Sequence, residues 1–490
     1  PMALPSPPIA YYPLGTSAWN GNFLAENNAI GDYVFDFERT TISSGDNIDI
    51  SGYTGLNNAS AFTISVWFKG HSFTTDYIFS TSIATDYANN VIGLYLSSNQ
   101  LKTNVYFGGV NSGISNVSID LNKWYHAAIT FDGSTGTATT YVNATAYVGS
   151  GNLGTTSPNF DTNLMISGLE YAAGSTAYYF DGEVSNFQIF NTALSATEVE
   201  TLYNYGSPIQ TLANIPQNSN LKAWYKLDAS EIYNSTTTEW EINNATSPWT
   251  SSLDFNNGTG YTDSIAYGSS FSDVPSASGV HTFSLWFKQD ALNSNQERLF
   301  APKGGWGAFA LYIENGTLKW SVYDGVFRVV STSIQAGVWY NIVFGVNGSN
   351  ETFLYLNNES KISTAYNGTI SYQGIETGIY LGRTRGADIN RSFNGQLSNF
   401  AWFNYVLPET GTESIESIYN LGTPKDITGW SNNYLWYKLN STTITDSSGN
   451  GNNGTNNGAT ELPGSVSTLN GQSSGMSQAN LVQSDLQTVA

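Results

Sequence analysis

A chain of 490 residues is too long for one ordinary core, and length alone sets an expectation of two to four domains. Its 17 lysines and arginines against 38 acidic residues, a net charge of −21, exclude the clustered cations that nucleic acid or an anionic membrane surface demands. The lack of cysteine excludes disulfide scaffolds, thiolate zinc sites and thiol nucleophiles, and no run of about 18 apolar residues offers a membrane-spanning helix.

The start, Pro1-Met2-Ala3-Leu4-Pro5, has neither the basic residues nor the apolar stretch of a signal peptide. The first strong element is FTISVWFKG at 62–70, where Phe62, Ile64, Val66 and Phe68 share one face and Thr63, Ser65 and Trp67 the other. Next comes WYHAAITFDG at 124–133, with Tyr125, Ala127, Ile129 and Phe131 on one face, and then FDGEVSNFQIFN at 180–191. Ser195-Ala196-Thr197-Glu198 reads as a capping box, with Leu194 stapling to Val199 and Gly206 placed to end a short helix. LYNYGSP closes this stretch at 202–208.

The series then repeats. HTFSLWFKQ returns at 281–289, WYNIVFGVNG at 339–348, FNGQLSNFAWFN at 393–404 and IYNLGTP at 418–424. The order is kept at a near-constant offset of roughly 215 residues, the mark of a duplicated unit. AWYKL at 223–227 returns as LWYKL at 435–439, before TDSSGNGNNGTNNGAT at 445–460 and a Gly/Ser/Gln-rich end. The expected division is therefore residues 1–212, residues 213–429, and a third repeat that begins and stops in 430–490. Alternating strands with Gly and Asn turns indicate an all-β protein of sandwiches. A tail of such low apolar content is ordered only when held, either by a neighbouring subunit or by the chain's own domains.

These landmarks together resemble the laminin-G-like members of the concanavalin A-like superfamily. The matching features are an AWYKL opening strand, a DSSGNGNNGT loop, the FTISVWFK and WYHAAITFDG strands, and a final FDGEVSNFQIFN strand followed by ALSATEV. The resemblance implies two tandem jelly-roll sandwiches of curved antiparallel sheets, plus a partial third repeat as a C-terminal tail. It also implies domains that bind glycans or proteins, in some members with calcium at a loop. Strings of such domains with a tail like MSQANLVQSDLQ (476–487) are similar to virion proteins of marine tailed phages. Domain 1 departs from the pattern with TSAWNGNFLAENNAIGD (16–32) in place of the DSSGNG loop, and domain 2 with SEIYNSTTTEWEINNATSP (230–248).

Catalysis finds no support in the residues. Retaining glycosidases need two carboxylates about 5–5.5 Å apart, and the E-x-D-x-x-E pattern of related glucanases is missing. Glu239/Glu241 and Glu198/Glu200 read as solvated pairs. The three histidines, His71, His126 and His281, do not correspond between the repeats, and Asn341 stands where the first repeat has His126. The chain is expected to be no enzyme.

Trp67, Trp286, Trp124 and Trp339 recur in both copies and are expected to be covered parts of the fold. Trp306, between glycines, is a candidate for stacking on a sugar or partner. Arg383 and Arg385 form a basic pair suited to clamp a carboxylate, where the first repeat carries Leu169, Glu170 and Tyr171. Tyr171 is a further ligand candidate. Asp181 and Asp446 are the carboxylates best placed for calcium, although Asp before Gly also forms turns. The leading expectation is a non-enzymatic adhesive or structural protein, a virion or extracellular component meeting neighbouring subunits and glycans. The alternatives are a secreted lectin-like protein and a divergent glycan-active enzyme.

Overall fold

The computed structural model describes residues 33–486 apart from 52, 115, 173, 236, 256–262, 268–279, 304–308, 369, 371–377, 385–390 and 485. Nearly all regular elements are antiparallel strands, and they form two compact sandwich units.

In the first sandwich one sheet is centred on Ala61–Gly70, flanked by Tyr125–Asp132 and Gly182–Phe190. The facing sheet is centred on Asp76–Ser82, Leu164–Ile166 and Asn47–Ile50. The second sandwich repeats the plan with His281–Gln289 between Trp339–Val346 and Gly395–Phe403. Its facing sheet runs from Phe327–Ser333 through Thr317–Tyr323, Phe309–Glu314 and Glu297–Pro302 to Ile379–Leu381.

The period-2 pattern decides which face is core. Phe62, Ile64, Val66 and Phe68 are fully buried in the first core, and Phe283, Leu285 and Phe287 in the second. The opposite faces are buried as well, because each sheet's outer side carries a short helix. Trp67 stacks on Tyr203 of the helix Ala196–Tyr203 at 5.9 Å, and Trp286 on Tyr419 of the helix Ile415–Tyr419 at 6.1 Å. Thr63 and Thr282 hold the chain that leads to those helices. Thr63 Oγ1 donates to the Thr192 carbonyl and accepts from the Leu194 N–H, and Thr282 does the same with Tyr405 and Leu407. The expected capping box of Ser195 and Glu198 is present, but the left-handed residue that ends the helix is Asn204, not Gly206.

The domain bounds expected at 212 and 430 differ from the compact units. One unit runs to Thr246 and resumes at Leu469, and the other spans Ser247–Thr468. The cause is the AWYKL strand. Leu221–Tyr225 pairs with Gly182–Phe190 of the first sandwich, and Asn433–Tyr437 with Gly395–Phe403 of the second. The asparagine of the repeated S-N-F triplet makes the join. Asn186 and Asn399 take positive φ, receive the indole N–H of Trp224 and Trp436, and donate their own N–H to the carbonyls of Lys226 and Lys438.

No third sandwich begins at 430. Thr455–Asn457 and Thr460–Pro463 pair with Ser264–Tyr267 and Ser251–Phe255 of the second sandwich. Gly471–Ser474 lies between Asn47–Ile50 and Glu239–Ile242 of the first, and Leu481–Gln483 lies beside Tyr33–Phe37. The tail is thus ordered by the chain's own sheets.

The glycine of the repeated F-D/N-G motif follows from close approach. Gly182 and Gly395 have φ of +152° and +150°, and a Cβ on either would run into the carbonyl of Lys69 or Lys288 on the adjoining strand. Gly395→Ala is expected to destabilise the second sandwich by roughly 2 kcal/mol or more, measurable by chemical denaturation.

Burial also sets one pH dependence. Glu231 lies between the strand Leu221–Tyr225 and the hairpin that follows, accepting the N–H of Leu227 (3.3 Å) and of Asn243 (2.6 Å). Desolvation pushes its pKa from 4.5 to about 8. Between those values the folded chain holds a proton that the unfolded chain has released, so stability falls as pH rises and levels off above about 8. The fall is expected to be about 2 kcal/mol from pH 5 to pH 7, at about 1.36 kcal/mol per unit. Glu231→Gln should remove this component of the slope in denaturation curves taken across that range.

Candidate functional site: an asparagine-rich cleft beside Trp430

The residues singled out from sequence are dispersed. Trp306 and Arg385 lie outside the described residues. Arg383 is half-buried, with Nε donating to the Thr384 carbonyl and the guanidinium 4.9 Å from the Tyr380 ring. Tyr171 is exposed and meets Tyr87 edge-on at 6.2 Å.

Asp446 organises its own loop. Its Oδ1 accepts the N–H of Trp436 (3.1 Å) and Ser448 (3.0 Å), and its Oδ2 that of Asn452 (2.9 Å). Asn244 does this in the first sandwich, accepting the N–H of Trp224 (3.1 Å) and Thr246 (3.2 Å). A neutral amide fills the same backbone-holding role there.

Asp181 belongs to a charged group in the first sandwich. His71 Nδ1 is 3.7 Å from Asp36 and 4.0 Å from Asp181, and its Nε2 is 3.6 Å from Glu183, which also pairs with Lys69 at 2.6 Å. Glu183, ahead of the other carboxylates, holds the imidazole above its usual pKa. The second sandwich has Gln396 in the register position of Glu183. Among the described residues, no group of three or more His, Asp or Glu side chains is arranged to hold a metal ion.

The other two histidines are core residues. His126 is fully buried, its Nε2 2.8 Å from Ser65 Oγ, and burial lowers its pKa to about 3. Asn341 makes the matching bond to Ser284 at 3.2 Å, which is why the second repeat manages without the imidazole. His281 is fully buried against Trp402, with its pKa lowered by desolvation to about 4. Glu198 is consumed by the helix cap and Gln217, Glu239 receives the Gly475 N–H, and Glu241 bonds Asn470.

A concave feature of the second sandwich lies beside the loop of Asp446, lined by residues that the sequence did not single out. It is an open cleft of about 510 Å³ at the start of the strand Asn433–Tyr437. The aromatic part is Trp430 and Tyr434; Asn404, Asn432, Asn433, Ser448, Asn450 and Asn452 complete the lining. None of these side chains carries a charge.

Local structure fixes the lining. Trp430 leans on Phe403 at 5.9 Å, and Tyr434 meets Trp402 edge-on at 5.0 Å. The DSSGNG loop is tied down by its own amides. Asn450 Nδ2 donates to the carbonyls of Asn433 (2.8 Å) and Tyr434 (3.0 Å), and Asn452 Nδ2 to Tyr434 (3.0 Å). Asn433 is 8% exposed, and its Oδ1 is buried with no hydrogen-bond partner. An unmade bond of this kind costs about 1–3 kcal/mol, and the residue that carries it belongs to the cleft lining.

The first sandwich keeps the frame and changes the lining. Asn191 donates to the Asn220 carbonyl at 3.0 Å, as Asn404 does to Asn432 at 3.3 Å. By register, Leu221 and Lys222 stand there in place of Asn433 and Tyr434. The cleft's lining is specific to the second copy. Its sequence signal was the Trp-Ser-Asn-Asn-Tyr run at 430–434 followed by the Asn-rich loop at 450–453. Reading that run as the start of another repeat concealed it.

The comparisons bear on both sandwiches. A family model described as the concanavalin A-like lectin/glucanases superfamily matches residues 43–200 and 257–410. No curated protein matches the sequence. Among solved structures, the chain is similar to a putative carbohydrate-binding protein from Bacteroides ovatus at 12% identity, with a TM-score of 0.35, covering 86% of this chain and 99% of that one. It is also similar to domains LG4–5 of the mouse laminin α1 chain at 11% identity, with a TM-score of 0.25, covering 76% and 90%. A third is a heptameric pentraxin from Limulus polyphemus at 18% identity, with a TM-score of 0.27, covering 35% and 80%. With the family model matched once in each duplicated half and spanning well over half the residues, the chain belongs to the concanavalin A-like lectin/glucanase superfamily, in its laminin-G-like branch.

Proposed function

We propose that this chain is a non-catalytic, adhesive carbohydrate-binding protein that takes an uncharged saccharide in the cleft beside Trp430. The observation that carries the reading is the cleft's chemistry. Its lining consists of amides, a hydroxyl and two aromatic rings, with the buried Asn433 oxygen lacking a partner. Sugar hydroxyls donate to amide oxygens and accept from amide N–H groups, while the apolar face of a pyranose rests on an indole. The absence of charge from the lining favours a neutral sugar. A glycosidase reading needs two carboxylates facing a bound sugar, and the cleft lining supplies none.

The test is a glycan array probed with the full chain. Selective retention of neutral saccharides is the expected result, and uniform silence across the array overturns the reading.

The wider setting proposed is outside the cell or on a virion, where tandem sandwiches act as contact modules between neighbouring subunits and a surface. Its support is the resemblance of the tandem repeats and tail to such proteins, and an acidic chain of low charge density. Sedimentation of the purified chain tests the subunit part: a concentration-independent monomer counts against it. Calcium remains proposed only for the loops holding Asp181 and Asp446. A melting temperature unmoved by calcium or a chelator would remove it.

A further inference from the structure

Beyond residue 450 the chain builds the same closing segment twice. GTNNGA at 454–459 is followed by ELPGSV at 461–466, and GQSSGM at 471–476 by LVQSDL at 481–486. The two segments take equivalent places. Asn456 lies opposite Ile265 and Ser473 opposite Ile48, each isoleucine belonging to a sandwich core. Glu461 lies opposite Leu253, and Leu481 opposite Phe35. Gly458 and Gly475 both take positive φ, and the residues after them, Ala459 and Met476, are buried in the second and the first core. Further on, Val466 is buried in the cluster of Trp286, and Leu486 in the cluster of Trp67. Each segment therefore closes one sandwich in the same manner.

The slot in the first sandwich is selective. Gly471–Ser474 lies between Asn47–Ile50 and Glu239–Ile242, so an empty slot leaves two strand edges unpaired, and such edges template the addition of a strand. Carboxylates receive the segment. Glu241 accepts from Asn470 Nδ2 (3.3 Å), Glu239 from the Gly475 N–H (3.0 Å) and the Ser473 hydroxyl, and Asp46 from Asn480 Nδ2 (2.6 Å). These acids repel an acidic segment. In a chain of net charge −21, residues 462–484 carry no charged side chain and supply the amide and hydroxyl donors that the slot takes.

We propose that this slot is where copies of the chain join: residues 469–486 of one copy fill the first sandwich of another, in the register they take within their own chain. The inference rests on the reading that the sandwiches meet neighbouring subunits, and it names the contact. Exchange keeps the pairings of the segment, which run to the first unit, and only the backbone near Thr468, where the second unit ends, has to turn. The second unit of one copy is thereby joined to the first unit of the next. Such a contact builds closed rings, a pair being the smallest, or open chains. A tethered segment meets its own slot at an effective concentration on the order of 1 mM, so exchange competes where copies are crowded to that degree, as in an assembly.

The chain has no cysteine of its own, so an introduced disulfide reports the exchange. Tyr33 and Gln483 are exposed and stand opposite each other in register. Full chains with Tyr33→Cys are mixed with full chains with Gln483→Cys at about 0.5 mM, close to the effective concentration of the tether, and mildly oxidised. Links from position 33 of one chain to position 483 of another are expected to outnumber like-with-like links about tenfold or more, and their yield to fall on dilution. Light scattering on the unsubstituted chain over the same concentrations is expected to show association, which Leu486→Asp weakens about tenfold or more by placing a charge in the cluster of Trp67. A statistical mixture of links overturns the exchange. Association that Leu486→Asp leaves unchanged also overturns it, while the subunit contact then stands through another surface. A monomer at every concentration overturns the exchange and the subunit contact together. The disulfide mixture decides the matter if the Leu486→Asp chain does not fold.

Discussion

A chain ending at residue 429 is expected to leave the second sandwich unfolded and the first one weakened. The repeat pattern suggests the opposite, since it ends a domain there. The cut removes Leu435, Trp436, Tyr437, Leu439 and Ile444, all 6% exposed or less, from the second sandwich. Each large side chain of this kind contributes about 1.5–3 kcal/mol when buried, and whole domains are stable by only about 5–15 kcal/mol. The loss also strips the C-terminal half of Gly395–Phe403 of its partner on one edge and leaves the Asn399 side chain without the Trp436 indole. The first sandwich loses Gly471–Ser474 from between two strands, and with it Met476, which is 2% exposed in the core.

Calorimetry should show no cooperative transition for the second sandwich in this truncated chain. A chain ending at Thr468 should regain that transition, because it retains the whole of the second unit. Two sharp transitions from the 429 chain would show that the AWYKL strands are dispensable and that the repeat boundary is the true one.

Trp430→Ala is expected to abolish measurable saccharide binding, a loss of about 30-fold or more on the scale of aromatic hot spots. The ring is half-buried against Phe403, so its removal costs less in stability than the loss of a core tryptophan. Two companion variants separate binding from folding. Tyr434→Phe keeps the ring and should leave the fold untouched while weakening binding only through the hydroxyl. Asn433→Leu installs the residue that the first sandwich has at the same register position, Leu221. It removes a buried oxygen with no partner and is expected to lower affinity about tenfold without lowering stability. Titration of the array-selected saccharide checks all three. Affinities within twofold of the parent for both Trp430→Ala and Asn433→Leu would move the site elsewhere.

The alternation of Phe62, Ile64, Val66 and Phe68, and its return at Phe283, Leu285 and Phe287, determined by itself that the chain is a duplicated sheet protein with these residues in its cores. Side chains alternate across a strand, so a buried face writes itself into the residue order. The capping box at Ser195 was equally legible, because its bonds span only three residues. Sequence also placed Trp67, Trp286 and Trp339 under cover, since their matched positions pointed to the fold, whereas Trp124 is only half-buried.

Only the tertiary structure decided which sandwich owns each AWYKL strand. Strand partnership is a contact between residues distant in the chain, which local pattern does not encode. The indole bonds to Asn186 and Asn399 settle it in three dimensions. The same is true of the candidate site. Trp430 and Asn450 line one cleft only because the DSSGNG loop folds back over its own strand. Local pattern records which residues turn inward. It does not record which distant neighbours they find there, and binding chemistry depends on those neighbours.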